Sequence, residues 1–265
     1  MSDDAITWVE LQWRGQTVSM ECRWVGTKNS AHPTVVFLHE GLGSVSAWKQ
    51  FPQRFCAAHG LRGLVFSRAG YGRSTPRAAD EHWPPDTMHR QAVEVLPALF
   101  EALGITRPWL FGHSDGASIA LLHAARFEVA GIVAVAPHIN VEDVAINSIT
   151  AARTAYESTD LRQRLARYHD DVDSAFRGWN DMWLDPAFRS WNIEAELATI
   201  TCPVLAVQGE DDEYGTLEQI RGIARRVPQT QLLVLAHCAH SPHRDQPERL
   251  TEQAGTFITT HWRLP

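Results

Sequence analysis

The sequence lacks paired cysteines, long apolar runs, an excess of positive charge and internal repeats. Each absence removes a class of protein. Cys22, Cys56, Cys202 and Cys238 stand apart with no CxxC spacing, which argues against a disulfide framework or a structural zinc and for free thiols in a reducing cytoplasm. No stretch of about 18 apolar residues occurs, so no membrane-spanning helix is expected. The first residues, Met1 to Ile6, are acidic and lack the apolar core of a secretory leader. A net charge of −7 argues against a nucleic-acid groove or a polybasic membrane patch. With 265 residues, 44% hydrophobic and 21% charged, the chain is expected to be a cytoplasmic globular protein that acts on a small molecule, its oligomeric state left open between monomer and homodimer.

Two strand-like segments, Ile6 to Trp13 and Thr17 to Val25, flank Arg14-Gly15-Gln16, which reads as a hairpin turn. Short apolar runs then alternate with helical periodicity. Strands are expected at Thr34 to His39, Gly63 to Ser67, Trp109 to Gly112 and Gly131 to Ala136. Helices are expected near Ser46 to His59, His89 to Leu103 and Ser114 to Phe127. Such alternation implies βαβ units and a parallel sheet buried on both faces. It pauses after Pro137 and resumes with strand Pro203 to Gln208, helix Thr216 to Val227, strand Gln231 to Ala236 and a last helix from Pro247 to about His261. Residues 138–200 are helical in pattern and carry Trp179, Trp183 and Trp191. The expected organisation is therefore a core of 1–137 and 201–265 interrupted by a helical cap at 138–200.

The strongest chemical signal is Gly112-His113-Ser114-Asp115-Gly116, a GxSxG between a strand and a helix. A serine held on a sharp strand-to-helix turn exposes its hydroxyl, and the helix start turns N–H groups toward developing negative charge. Ser114 is the expected nucleophile, and the N–H of Asp115 is one expected oxyanion donor. A serine hydroxyl also needs a base. Candidate acids, Glu210, Asp211, Asp212 and Glu213, follow one late strand; candidate histidines, His237, His240 and His243, follow the next. Both groups lie past strand carboxyl ends, where open α/β sheets place their sites. The three histidines could suggest a metal site, but they follow a strand and form no regular helical face, so no metal and no cofactor is expected.

Five segments together resemble the α/β-hydrolase-fold family: LHEGLGS (Leu38 to Ser44), RAGYGRS (Arg68 to Ser74), GHSDG, PVLAVQGEDD (Pro203 to Asp212) and AHSPHRDQPE (Ala239 to Glu248). The resemblance runs from Thr34 to about Ile258 and implies a mostly parallel twisted sheet with helices on both faces. It implies Asp212 as the orienting acid, three residues after a glycine, and His240 as the base. Matching His39-Glu40-Gly41 to the family's HGx motif makes Gly41 the second oxyanion donor. Glu40 replaces the usual glycine there, which leaves open whether Glu40 supplies the N–H instead. A structural hydrogen bond is expected for His39, and a salt bridge to a loop arginine such as Arg68 is one reading of Glu40. Glu40, His138, Trp179 and Trp183 are candidate substrate contacts, although core packing is the commoner fate of any single tryptophan.

The fold hosts many chemistries, so the site must choose. Serine at the elbow argues against the family's epoxide hydrolases and dehalogenases, which use aspartate there. Carbon–carbon bond hydrolases of ring-fission products usually carry SHGGGPG where this chain has LHEGLGS, and the haloperoxidases' usual aromatic preference near the elbow is not evident. A serine esterase cleaving small to medium carboxylic esters through an acyl-enzyme is the expectation. The C–C hydrolases are the alternative, together with family members that keep the fold and only bind ligands. Aspartate after the nucleophile also resembles the amino-ester hydrolases, where it contacts the substrate amine.

Overall fold

A computed structural model describes residues 5–28, 33–78 and 80–262; the outermost residues of the expected core, 1–4 and 263–265, lie outside the described residues. The chain opens with β1 (Ile6–Trp13) and β2 (Gln16–Gly26), an antiparallel hairpin closed by Arg14 and Gly15, both at positive φ. Then come β3 (Val35–Leu38), α1 (Phe51–His59), β4 (Arg62–Phe66), α2 (Thr87–Arg90), α3 (Leu96–Leu103), β5 (Trp109–His113), α4 (Asp115–Ala124) and β6 (Gly131–Val135). Helices α5 (Asp143–Ser158), α6 (Leu161–Leu165), α7 (Val172–Leu184) and α8 (Glu194–Leu197) follow, with a 3₁₀ turn at Pro186–Ser190. The chain closes with β7 (Val204–Gly209), α9 (Glu218–Arg226), β8 (Thr230–Leu235), α10 (Pro242–Asp245) and α11 (Pro247–His261).

The eight strands form one sheet in the order β1-β2-β4-β3-β5-β6-β7-β8. β2 alone runs against the rest, pairing antiparallel with both β1 and β4, and every pairing from β4 to β8 is parallel. This is the α/β architecture expected from the alternation. Burial on both faces explains the continuous apolar runs. Along β3, Val36 and Leu38 enter one core cluster while Val35 and Phe37 enter the other.

The helix expected at His89 to Leu103 starts earlier and is interrupted between α2 and α3 by a π-turn at Gln91–Val95. Pro97 is the physical reason: it brings no N–H to the helical ladder, and its ring crowds the preceding turn. The helix expected from Ser46 begins only at Phe51, after a run of turns that carries Lys49 at positive φ. Between β6 and β7 the described chain carries helices joined by loops, with no strand and only an isolated bridge between Asn140 and Asn192.

Candidate active site

Ser114 sits between β5 and α4 with φ 52° and ψ −121°, a strained conformation for a residue with a side chain. Two glycines make the turn sterically possible. A Cβ on Gly112 would stand 2.4 Å from the Gly116 carbonyl oxygen, and one on Gly116 would stand 2.2 Å from that of Leu38. The Ser114 N–H is tied to the Val135 carbonyl at 2.9 Å, which fixes the turn against β6.

Asp212 lies in the loop after β7 and His240 in the loop after β8, so parallel pairing brings both beside the end of β5. The Ser114 hydroxyl lies 3.0 Å from His240 Nε2. His240 Nδ1 lies 2.8 Å from Asp212 Oδ1 and 3.0 Å from Oδ2. A carboxylate there selects the tautomer with the proton on Nδ1, which leaves Nε2 free to accept the serine proton. Asp212 is itself held: Oδ1 accepts from the Tyr214 N–H at 2.8 Å and the Gly215 N–H at 3.2 Å, and Oδ2 accepts from Gln208 Nε2 at 2.8 Å. Burial pushes this carboxyl up, but the hydrogen bond and charge of His240 and the Tyr214 N–H pull it further down, to a net position below the usual carboxylate range.

A cavity of about 240 Å³ opens over Ser114. Gly41 and Asp115 both line it with the serine, and as the first residue of α4 Asp115 has an N–H without an intrahelical acceptor. Glu40, His138, Trp179 and Trp183 line it as well. The 138–200 segment thus supplies one wall, adding Ile149, Leu165 and Tyr168 to the two tryptophans. Trp179 lays its indole against Gly41, and Trp183 donates its indole N–H to Asp115 Oδ1 at 3.1 Å. Trp191 does something different: it stacks on Phe188 with ring centres 5.3 Å apart, as packing.

His138 is buried, packs edge-on against Trp183 and has its imidazole pushed down to about 3, burial being the main cause and the neighbouring His240 the second. The His39 ring donates from Nδ1 to the Glu40 carbonyl at 2.7 Å and accepts the Arg68 N–H on Nε2 at 3.0 Å, a structural role. The expected Glu40–Arg68 salt bridge is corrected. Arg68 Nη2 binds the Glu40 main-chain carbonyl at 2.9 Å and lies 4.0 Å from Asp115 Oδ2, whereas the Glu40 carboxylate meets Arg244 at 3.2 Å. Arg68 reaches past the Glu40 side chain because its guanidinium is drawn to a more deeply buried carboxylate.

His237 is exposed, and His243 is buried against Trp48 and Phe51, so the three histidines do not converge. Among the described residues, no group of three or more His, Cys, Asp or Glu is placed to hold a metal ion. Nor is any helix among them long and apolar enough to cross a membrane. Sequence reasoning missed Gln208 and Tyr214, and it held Glu213 only as a candidate acid without foreseeing its contact with the His240 main chain. Tyr214 packs at a tilt against the His240 ring, with ring centres 4.7 Å apart, and Glu213 accepts the His240 N–H at 3.1 Å. No motif marks them; only their neighbourhood to Asp212 could have drawn notice.

Comparison with known proteins agrees with this architecture. The chain is 26% identical over 248 residues to a protein named "Putative carbamate hydrolase RutD" from Caulobacter sp. (strain K31), covering 84% of this chain and 90% of that one. The protein of the same name from Stutzerimonas stutzeri (strain A1501) is 24% identical over 242 residues, 79% of this chain and 85% of its own. Among solved structures, the proline iminopeptidase of Mycobacterium smegmatis superposes with a TM-score of 0.77 at 17% identity, covering 96% of this chain and 98% of its own. The enol-lactonase of Burkholderia xenovorans LB400 gives 0.74 at 20% identity, with 95% and 100% covered. The thermophilic esterase of Thermogutta terrifontis gives 0.71 at 19% identity, with 96% and 99% covered. These structures speak for the fold alone. A model of the Alpha/beta hydrolase family matches residues 35–253, from β3 into α11, and the chain belongs to that family.

Proposed function

We propose that the protein is a serine hydrolase that cleaves small to medium carboxylic esters through an acyl-enzyme, with Ser114, His240 and Asp212 as its catalytic triad. The observation that carries this reading is the unbroken relay from Ser114 Oγ to His240 Nε2 at 3.0 Å and from His240 Nδ1 to Asp212 at 2.8 Å. His240 takes the hydroxyl proton as Ser114 Oγ attacks the acyl carbon. The N–H groups of Asp115 and Gly41 stabilise the oxyanion, Asp212 stabilises the imidazolium, and His240 returns the proton to the departing alcohol. Water then repeats the sequence in reverse on the acyl-enzyme. Residues 138–200 act as a cap that excludes water, and the cavity of about 240 Å³ limits the acyl group to a small or medium size. The substrate is a small molecule, and the place of action is the cytoplasm.

A fluorophosphonate probe should label Ser114 stoichiometrically, and a panel of p-nitrophenyl esters graded in acyl length should give turnover that falls once the acyl group outgrows the cavity. Absence of both labelling and turnover would overturn the reading in favour of a ligand-binding protein. A second reading, carbamate hydrolysis, has the support of the relatives' name and uses the same acyl transfer. A higher kcat/KM on p-nitrophenyl carbamates than on the matched esters would favour it.

A further inference from the structure

A second acid–imidazole pair lies alongside the first. His113, the residue before the nucleophile, is 1% exposed, and its ring centre is 5.2 Å from that of His240. Its Nε2 lies 2.8 Å from the main-chain carbonyl of His240, and its Nδ1 lies 3.5 Å from Glu40 Oε2. A carbonyl only accepts, so Nε2 carries the proton of that hydrogen bond. The contact at Nδ1 is too long for a good hydrogen bond and simply seats the Glu40 carboxylate against the ring.

From this arrangement the geometry points to a positioning role for the Glu40–His113 pair: it clamps the main chain of the catalytic base to the nucleophile elbow and to the oxyanion loop. The inference rests on His240 being the base of the proposed triad. Three catalytic loops meet at this one ring. Glu40 belongs to the loop after β3, His113 ends β5, and His240 belongs to the loop after β8. The groups facing the pair are His240 from the base loop and His243 and Arg244 from α10, with the His243 ring centre 4.8 Å from that of His113.

The Glu40 side chain folds back over Gly43 and is 18% exposed. Burial pushes its carboxyl up, but contact with His113 and the charge of Arg244 outweigh burial and hold it well below the usual range. It is therefore a carboxylate committed to contacts within the fold. This accounts for a glutamate where the family's motif has glycine, and it moves Glu40 from substrate contact to positioning. On the other side of the base loop, Glu213 accepts the His240 N–H at 3.1 Å. The base is thus gripped at its side chain by Asp212, at its N–H by Glu213 and at its carbonyl by His113.

Two amide substitutions separate this role from mere packing. In His113→Gln the side-chain amide nitrogen reaches the place of Nε2 and can still donate to the His240 carbonyl. In His113→Asn it reaches only the place of Nδ1. With p-nitrophenyl acetate, His113→Gln should keep kcat within about tenfold of wild type, whereas His113→Asn should lose about a hundredfold, the cost of a base displaced by an ångström. KM should stay within about threefold in both, because the substituted residue, His113, is not in the cavity lining; that split between kcat and KM is the mark of positioning. Equal kcat in the two variants, whether both retained or both lost, would overturn the clamp. Failure of the triad itself would be distinct: the wild-type protein would then be neither labelled by the fluorophosphonate nor impaired by His240→Ala.

Discussion

Trp183 donates its indole N–H to Oδ1 of Asp115 at 3.1 Å, and Oδ2 of the same buried carboxylate finds no hydrogen-bond partner. Asp115 is 1% exposed, lines the cavity beside Ser114 and has Arg68 at 4.0 Å as its nearest counter-charge. Burial, only partly offset by Arg68 and Trp183, raises its carboxyl above the ordinary value. Because Oδ2 is closed to solvent, this carboxylate acts on a bound ester through its field across the cavity wall rather than as a free acceptor.

Neutral or cationic esters should therefore be hydrolysed faster than anionic ones of equal size. Cationic Lys49 and Arg244 also line the cavity, but Arg244 is 50% exposed and is screened by water and salt, so the buried Asp115 dominates at the reacting centre. The measurement is kcat/KM for an amino-acid benzyl ester divided by that for a hemisuccinate benzyl ester. Asp115→Asn should bring the ratio toward one. As pH falls, Asp115 takes up its proton before ordinary carboxylates do, while Asp212 stays ionised, so the ratio should shrink on the acid side. Equal or faster turnover of the anionic ester by wild type would rule the preference out.

Ser114→Ala should abolish labelling and lower turnover by about 10⁶, the usual cost of removing a triad nucleophile, with the melting temperature nearly unchanged. His240→Ala should be almost as severe. His237→Ala should be mild, because that side chain is exposed, whereas His243→Ala should lower the melting temperature by emptying a site packed against Trp48 and Phe51. Inactivation by EDTA with recovery on zinc would replace the triad with a metal centre.

The three tryptophans of 138–200 separate by position. Trp179→Ala enlarges the cavity above Gly41, so it should raise relative activity on longer acyl chains more than it lowers stability. Trp191→Ala removes a ring stacked on Phe188 and should cost about 3–5 kcal/mol of stability with acyl preference unchanged. Thermal melts and an acyl-length series on both variants check this; a Trp179 variant with lower stability and unaltered preference would make it another packing residue.

Much of the fold was legible because its signals are local. TVVFLH and GHSDG each state burial or turn geometry within a few residues, and the βα alternation follows from such runs. The strand order was not legible, since nothing in β2 says that it pairs antiparallel with β4. In the site, the turn at Ser114 could be read from its own residues, while places after strands gave four acids and three histidines, among which only the family resemblance picked Asp212 and His240. Glu40 could not. Its partner is Arg244, 204 residues along the chain, and the nearer guess of Arg68 failed because Arg68 reaches Asp115 and a main-chain carbonyl instead. Gln208 and His113 likewise act through contacts that exist only once the loops meet.

The buried histidines should make the protein sensitive to mild acid. His39, His138 and His243 all have imidazoles lowered chiefly by burial, His138 to about 3. The unfolded chain binds protons on these rings near their ordinary value of about 6.5, while the folded chain refuses them. Between about 6.5 and the lowered values the unfolded state holds more protons, so stability rises with pH across that window and is lost as pH falls through it. Each fully unprotonated ring steepens the loss by up to about 1.4 kcal/mol per pH unit. Urea melts from pH 7.5 to pH 4.5 should therefore show a steep decline. His138→Phe, which removes one titrating ring while filling the space beside Trp183, should flatten the slope by up to one proton's worth even if it lowers stability at pH 7.5. A slope identical to wild type would mean that His138 is protonated in the folded protein, and the neutral ring facing His240 would have to be abandoned.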